Sequence, residues 1–242
     1  MEEDLPPWEA PFVVDVQAVE SERHGVWDLY VPDADGPRPV VVFVHGGPIP
    51  VDLPVSPRDW PVYQGYGALA ARAGLVGVTI DHPLHSYDAY PAAYAEVFGA
   101  IAEARTDPRV DGNRVAVWAF SGGGPLTSPL LQQPPTWLRC IAASYPVLAS
   151  RPDRELPYGF RPIEALTPGF QLPIVLIRVG LEAPPIAKGV SAFLAAVQDH
   201  GVNIDIVDVP HGHHAFDLTD PGPESQGAVN RALGLVTAAI SR

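Results

Sequence analysis

The sequence predicts an α/β fold with a mostly parallel central sheet, an N-terminal antiparallel hairpin and helices on both faces. Apolar, strand-like runs alternate with helix-like segments from residue 39 to the end of the chain, and this alternation is typical of a parallel sheet covered by helices. The runs at 39–44 and 75–80 are almost entirely apolar, as expected for strands that are buried on both faces. A strand at 114–118 runs into a glycine-rich turn that carries one serine, which places a candidate functional residue at an edge of the sheet.

The N-terminal part of the chain predicts the antiparallel part of the sheet. Residues 13–19 and 25–31 alternate apolar and polar side chains, which predicts two strands of a hairpin around a turn at 20–24. Residues 1–11 are polar and proline-rich and predict an extended lead-in. Because no repeat or linker interrupts residues 1–242, we expect a single domain.

The remaining elements follow from the spacing of the apolar side chains. This spacing predicts helices that end at Gly74 and Gly201, one that begins at Pro91, one over 125–132 and a last one up to Ile240. Further strands are predicted at 138–147, 174–179 and 202–209, and Asp111-Gly112 is expected to turn the chain into the strand at 114–118. The irregular segment 150–172 is too short for a large helical lid.

Composition excludes several classes of function. The 242 residues are 47% hydrophobic, which is enough for one sizeable core. The net charge of −13 argues against nucleic acid or an anionic membrane as a partner. The single cysteine, Cys140, has no partner for an internal disulfide. Because the N-terminus lacks a signal-peptide pattern and no apolar run reaches membrane-spanning length, we expect a soluble cytoplasmic protein.

The sequence Ala-Phe-Ser-Gly-Gly-Gly at 119–124 follows a strand and precedes a helix, which is the context of a nucleophile elbow. In such a turn the serine hydroxyl is lifted to the edge of the sheet, and its neighbours are small because two backbones nearly touch. Ala119 stands where glycine is usual, which is a mild departure. No Lys-Ser or Lys-Thr follows the glycines, which excludes a P-loop, and Thr127 stands where a dinucleotide fingerprint needs glycine. The alternative is a turn that only closes a β-α unit.

Three predicted strand ends carry polar residues in the chain order Ser121, Glu182, His214. In a parallel sheet these ends meet at one edge, where ligands bind. A serine hydroxyl needs a neutral imidazole to take its proton, and the imidazole needs an acid behind it. The oxyanion of a tetrahedral intermediate needs backbone N–H donors, which we expect at Gly122 and in the Gly46-Gly47 segment.

The sequence resembles the α/β-hydrolase superfamily, and within it the dienelactone-hydrolase-like and small serine esterase group; the prolyl-oligopeptidase catalytic domain is a more distant resemblance. The motifs are His45-Gly46-Gly47-Pro48, the Ser-Gly-Gly-Gly elbow and His214-Ala215-Phe216-Asp217, and the resemblance covers the chain from Val13 onward.

The resemblance implies the α/β-hydrolase fold and a set of roles. It makes Ser121 the nucleophile, His214 the general base and Gly122 with Gly47 the oxyanion donors. The acid position matches Glu182, where most relatives have Asp. In similar enzymes the histidine at the position of His45 more often braces the oxyanion loop than takes part in the chemistry.

Other polar and aromatic residues are weaker candidates. Asp81, Asp205 and Asp208 are alternative acids, of which Asp205 and Asp208 are expected to face solvent from the last strand. The proline-rich loop at 49–61 is expected to wall the site, with Trp60 or Tyr63 near the acyl group and Tyr145 as a further wall residue. His82 and His85 follow a strand and are candidate pocket residues or surface histidines. His211, His213 and His214 lack the accompanying ligands of a zinc site, so we expect neither a metal nor another cofactor.

These expectations converge on a serine hydrolase that cleaves a small carboxylic ester or lactone through an acyl-enzyme. A peptidase or amide hydrolase, an acyltransferase or a lyase could use the same three residues, because fold and triad do not set the substrate. A non-catalytic binding protein of the same fold is disfavoured because Ser121, a candidate acid and His214 are all present. The sequence leaves the oligomeric state open.

Overall fold

The computed structural model describes residues 5–242, and a single sheet runs through its centre. Within that range the chain forms eight strands, which are β1 (Ser21–His24), β2 (Trp27–Tyr30), β3 (Arg38–Val44), β4 (Val76–Ile80), β5 (Val110–Phe120), β6 (Leu138–Ser144), β7 (Ile174–Val179) and β8 (Ile204–Val209). The α-helices of the same range are α1 (Pro61–Arg72), α2 (Tyr90–Ala104), α3 (Ser128–Gln132), α4 (Pro162–Ala165), α5 (Pro184–His200), α6 (Phe216–Thr219) and α7 (Pro223–Ile240).

The strands lie in the order β1-β2-β4-β3-β5-β6-β7-β8. β2 is antiparallel to both β1 and β4, whereas β3 to β8 are parallel to one another. The predicted architecture, a mostly parallel sheet with an antiparallel hairpin at one edge, is therefore confirmed. The segment between β6 and β7 contains only the short helix α4 within the described residues, which agrees with the expected lack of a large lid.

Side chains on the two faces of the sheet form two apolar cores. Along β3, Val40, Val42 and Val44 point into one core, whereas Val41 and Phe43 point into the other. The first core is covered by α2, α3 and α5, and the second by α1 and α7. This alternation explains why the central strands are apolar along their whole length, since each face buries every second side chain.

The predicted first strand of the hairpin is wrong, because residues 13–19 form no strand. Val13 and Val14 are both buried, so the alternation in the sequence does not describe a surface with one buried face. The Val13 N–H donates to the Asp217 carbonyl (3.2 Å), and the Arg72 guanidinium donates to the carbonyls of Gln17 and Ala18. These partners replace a neighbouring strand.

The hairpin itself begins where a turn was expected. β1 covers most of the predicted turn at 20–24, and the reversal lies at Gly25-Val26, between His24 and its register partner Trp27. Gly25 has φ +53°, which suits a two-residue hairpin loop. Within the expected lead-in, Pro6–Ala10 form a turn closed by the Ala10 N–H and the Pro6 carbonyl, while residues 1–4 lie outside the described residues.

Several further boundaries differ from the sequence prediction. The helix predicted over 125–132 is a 3₁₀-helix over Ser121–Thr127 followed by α3, and the strand predicted over 202–209 begins at Ile204. Asp111-Gly112 lies inside β5 and is not a turn, because β5 starts at Val110 and continues through an irregular register to Phe120. β6 ends at Ser144 instead of residue 147, because Tyr145 has a left-handed backbone with φ +39°.

The carboxyl ends of the parallel strands share one edge of the sheet. Val44 of β3 pairs in register with Ile80 of β4 and Ala119 of β5, while Val179 of β7 pairs with Val209 of β8. The loops that leave these ends carry every motif singled out in the sequence, so the sheet brings them to one side of the molecule.

Candidate active site

Ser121 occupies a strained turn between β5 and a 3₁₀-helix that begins at Ser121 itself. Its φ is +48°, a left-handed conformation that is rare for a residue with a side chain. A Cβ added at Gly122 would lie 1.8 Å from the Gly47 carbonyl oxygen. Only glycine therefore fits after the serine, and the turn holds the hydroxyl at the sheet edge as a nucleophile elbow does.

A hydrogen-bonded chain links the serine, the late histidine and the glutamate. Ser121 Oγ lies 2.6 Å from His214 Nε2, and His214 Nδ1 lies 2.7 Å from Glu182 Oε2. With the Nδ1 proton donated to the carboxylate, Nε2 is free to accept the serine proton. The three residues come from the ends of β5, β7 and β8, in the order expected from the sequence.

Extended pairing beyond the ends of β7 and β8 brings Glu182 and His214 together. The Gly180 N–H donates to the Val209 carbonyl (2.9 Å), and the Leu181 N–H donates to the Gly212 carbonyl (3.0 Å). A Cβ at Gly180 would lie 2.1 Å from the Pro210 carbonyl oxygen. Glycine at this position therefore lets the two loops run side by side, with the glutamate in one opposite the histidine in the other.

Burial differs along the chain of hydrogen bonds. The Glu182 side chain is 4% exposed, whereas the His214 side chain is 33% exposed. The second carboxylate oxygen of Glu182 accepts the Ala183 N–H at 2.7 Å, so both oxygens are held. Ala215, with φ +62°, turns the chain directly after His214 and starts α6. The carboxylate is thus fixed and shielded, while the imidazole can reach a substrate.

Backbone donors for an oxyanion lie beside Ser121. The Gly122 N–H is in the first turn of its helix, where N–H groups have no helical partner. The Gly46 N–H already donates to the Tyr63 hydroxyl at 3.3 Å, which leaves the Gly47 N–H as the better candidate from that segment. A Cβ at Gly46 would lie 3.0 Å from Ser121 Cβ, so this segment passes directly over the serine.

Two stacked histidines support the Gly46-Gly47 segment from behind. The ring centroids of His45 and His82 are 3.6 Å apart, and the ring planes are nearly parallel. The His82 N–H donates to His45 Nε2 (3.3 Å), so His45 Nδ1 carries the proton donated to the Gly46 carbonyl (2.6 Å). Burial lowers the pKa of His45 to about 4 and the pKa of His82 well below the ordinary histidine value, so both rings are neutral near pH 7. His45 therefore braces the loop.

A buried carboxylate that the sequence analysis did not single out lies under the site. Asp217 is 0% exposed, and its two oxygens accept the hydroxyls of Tyr145 (2.7 Å) and Tyr66 (2.8 Å). The Tyr145 ring lies 4.9 Å from the His214 ring. Burial raises the pKa of Asp217 to about 6, although the hydrogen bonds from the two hydroxyls and the charge of His214 each lower it. The only sequence clue was its place in the His-Ala-Phe-Asp motif.

Trp60 and Tyr63, which were expected near the acyl group, are held by packing and hydrogen bonds within the protein. Tyr63 is buried against the Gly46 segment, and Trp60 packs against the Tyr63 ring while its Nε1–H donates to the Val55 carbonyl. The loop after Gly47 borders a cleft of about 330 Å³ lined by His45, Ile49, His82 and His85, among others. The lining of that cleft does not include Ser121 or His214.

The alternative acids lie away from His214. Asp205 and Asp208 are exposed on β8, and Asp208 pairs with Arg178 at 2.7 Å. Asp81 accepts the Arg58 backbone N–H (3.1 Å) and also binds the Ser56 hydroxyl. The neighbouring histidines have other partners as well, since His211 pairs with Glu224 and His213 with Asp220. Among residues 5–242, Glu182 is the carboxylate that contacts the His214 imidazole.

Residues 5–242 contain neither a cluster of metal ligands nor a helix suited to span a membrane. No group of three or more His, Cys, Asp or Glu side chains in residues 5–242 is arranged to hold a metal ion. No helix in that range combines the length and the apolar character needed to cross a bilayer.

Comparison with solved structures reveals extensive similarity of fold at low sequence identity. A bacterial heroin esterase superposes with a TM-score of 0.76 at 16% identity, covering 94% of this chain and 87% of that one. A truncated carbohydrate esterase from gut microbiota gives 0.73 at 13% identity, covering 97% and 100%. A thermophilic esterase from the planctomycete Thermogutta terrifontis gives 0.69 at 18% identity, covering 96% and 91%. The chain therefore has the α/β-hydrolase fold expected from its sequence. No protein-family model and no curated protein matches the chain.

The raised pKa of Asp217 predicts a distinctive pH dependence of stability. An aspartate in the unfolded chain ionises near pH 4, whereas burial raises the pKa of Asp217 in the fold to about 6. Protonated Asp217 therefore contributes its whole stabilisation to the free energy of unfolding below about pH 4. This stabilisation is lost as the pH rises through about 6, a change of about 3 kcal/mol. Urea unfolding of the wild type and of Asp217→Asn between these pH values measures this change in the free energy of unfolding.

The difference between the two proteins isolates this carboxylate. Asp107 and Glu22 pair with Arg109, which lowers their pKa, so their contributions have the opposite slope but are the same in both proteins. We expect the stability of the wild type, relative to Asp217→Asn, to fall with rising pH. Parallel pH profiles would show that the carboxylate titrates as it does in the unfolded chain.

Proposed function

We propose that this protein is a serine hydrolase that cleaves a small carboxylic ester or lactone through an acyl-enzyme intermediate. One observation carries the proposal: the continuous chain of hydrogen bonds from Ser121 Oγ through His214 to Glu182, with distances of 2.6 and 2.7 Å. The first distance is within reach for proton transfer from the nucleophile to its base. The second is that of a hydrogen bond which orients the base and stabilises its charged form.

The proposed reaction has two halves, acylation and deacylation, and His214 acts as base and then as acid in each of them. His214 Nε2 takes the hydroxyl proton as Ser121 Oγ attacks the carbonyl carbon, and Glu182 stabilises the imidazolium that forms. The N–H groups of Gly122 and Gly47 stabilise the oxyanion. The imidazolium then protonates the leaving alkoxide, which departs as the alcohol. Water repeats the sequence on the acyl-enzyme, releasing the acid and restoring the serine.

Two observations favour a small substrate with a short acyl group. The motifs favour the dienelactone-hydrolase-like and small serine esterase group. The Thermogutta terrifontis esterase has been solved with propionate and with butyrate bound, and also phosphoramylated by tabun. Between β6 and β7 the described chain offers one four-residue helix and no larger cover for a long acyl chain. We therefore propose short acyl groups.

Hydrolysis of a series of p-nitrophenyl esters tests the function. We expect the wild type to cleave the acetate and butyrate faster than long-chain esters, with amides cleaved more slowly still. Ser121→Ala should lower kcat by about 10³-fold or more while circular dichroism and the melting temperature stay close to the wild type. Wild-type turnover in the variant would reduce the elbow to a structural turn, and faster cleavage of long chains or of amides would overturn the proposed substrate class.

The role of Glu182 has its own test. Glu182→Gln keeps the shape of the side chain but lets the imidazole adopt the wrong tautomer, so kcat should fall by up to ~10⁴-fold. Glu182→Asp should recover only part of this loss, because its carboxylate is one methylene further from Nδ1. The matched control is Asp205→Asn, which neutralises an exposed carboxylate of β8 and should leave kcat unchanged. A pH–rate profile of Glu182→Gln equal to the wild type in height and shape would exclude Glu182 as the acid.

A further inference from the structure

The Asp217 carboxylate is not used in the proposed acyl transfer, yet it lies under the residue that would act as general base. It is fully buried in the first turn of α6, three residues after His214. A buried carboxylate is unfavourable unless hydrogen bonds compensate for the lost water. Here each oxygen accepts one tyrosine hydroxyl, and one of those tyrosines also contacts the His214 ring.

We propose that Asp217 is a positioning residue for His214 and that it acts through Tyr145. In this arrangement the carboxylate holds the Tyr145 hydroxyl, and the Tyr145 ring holds the imidazole so that Nε2 stays within reach of Ser121 Oγ. The inference deepens the serine hydrolase function proposed above and rests on it.

The surroundings of Tyr145 show that its ring is fixed on several sides. The ring lies 4.9 Å from the His214 ring with the planes inclined at 63°, and it also packs against Phe216 and Phe120. The backbone is held by a bond from the Tyr145 N–H to the Ile177 carbonyl (2.9 Å). Its φ of +39° is unfavourable for a tyrosine, so this conformation depends on contacts of the folded protein, among them the hydrogen bond to Asp217 (2.7 Å).

The protonation states agree with this role. Burial and the charge of Asp217 raise the pKa of both Tyr145 and Tyr66 far above the ordinary tyrosine value. Both hydroxyls therefore stay protonated and donate hydrogen bonds to the carboxylate. Asp217 does not compete with Glu182 for the imidazole, because its two oxygens are occupied by the tyrosines while Glu182 holds Nδ1. The two carboxylates therefore have separate tasks.

The two tyrosines form a matched pair for an experiment. Tyr145→Phe and Tyr66→Phe each remove one hydroxyl from the same buried carboxylate, so both should lower the melting temperature to a similar extent. The Tyr66 ring, however, packs against Phe12, Phe43 and Trp118, whereas the Tyr145 ring contacts His214. A purely structural role of Asp217 would make the two variants alike in every other respect.

Kinetics and proton NMR then distinguish positioning from stability. We expect Tyr145→Phe to lower kcat about tenfold with KM changed by less than about twofold, because a displaced base slows the chemical step more than binding. We expect Tyr66→Phe to keep kcat within about twofold of the wild type. The low-field resonance of the His214 Nδ1 proton should shift or broaden in Tyr145→Phe and should stay as in the wild type in Tyr66→Phe.

The outcomes separate this inference from the function on which it rests. If the wild type hydrolyses no ester, the proposed function fails, but the NMR comparison still tests positioning because it needs no substrate. Should Tyr145→Phe not fold, Asp217→Asn replaces it and is expected to show the same loss of kcat and the same change of the Nδ1 resonance. An Nδ1 resonance that is identical in the wild type, Tyr145→Phe and Tyr66→Phe overturns the proposal.

Discussion

The close approach of three backbone segments after Ser121 is the constraint on which the rest of the site depends. Cβ atoms at Gly122, Gly123 and Gly124 would lie 1.8 Å from the Gly47 carbonyl, 2.6 Å from the His45 carbonyl and 2.6 Å from the Val147 carbonyl. Three successive glycines therefore let the elbow sit between the loop after β3 and the loop after β6. This contact accompanies the strained φ of Ser121 and brings the Gly47 segment over the serine, beside the N–H groups that we propose as oxyanion donors.

The charges around the site follow from differences in burial. The stacked His45 and His82 rings are buried and neutral, so they brace the Gly46 segment through hydrogen bonds without adding charge beside the proposed oxyanion donors. Glu182 keeps both oxygens hydrogen-bonded behind His214, and Asp217 keeps both of its oxygens bonded to tyrosines. His214 alone is partly exposed. A site of this kind stabilises a positive charge that forms on one imidazole and disfavours such a charge on the other two rings.

The sequence was sufficient for features that depend on local pattern and insufficient for those that depend on distant partners. The central strands were predicted because burial on both faces requires apolar side chains throughout, and the serine turn because its three glycines are contiguous. The prediction of a strand at 13–19 was wrong because this segment bonds to distant parts of the chain: Val13 to Asp217, and Gln17 to Arg72. Asp217 was overlooked for the same reason, since its donors Tyr66 and Tyr145 are 151 and 72 residues away in sequence. Tyr145 is predicted to wall the pocket, whereas the packing of its ring on His214 depends on residues that are 69 positions apart and meet only in the fold.

Activation of one serine by the folded protein can be measured by covalent labelling. The native protein is incubated with a fluorophosphonate, digested and mapped by mass spectrometry, with protein unfolded in urea as the control. We expect a single adduct on Ser121 of the native protein and none on the unfolded chain, because activation needs His214 and Glu182 in place. An unlabelled native protein, or an adduct on another residue such as Tyr63, would contradict it.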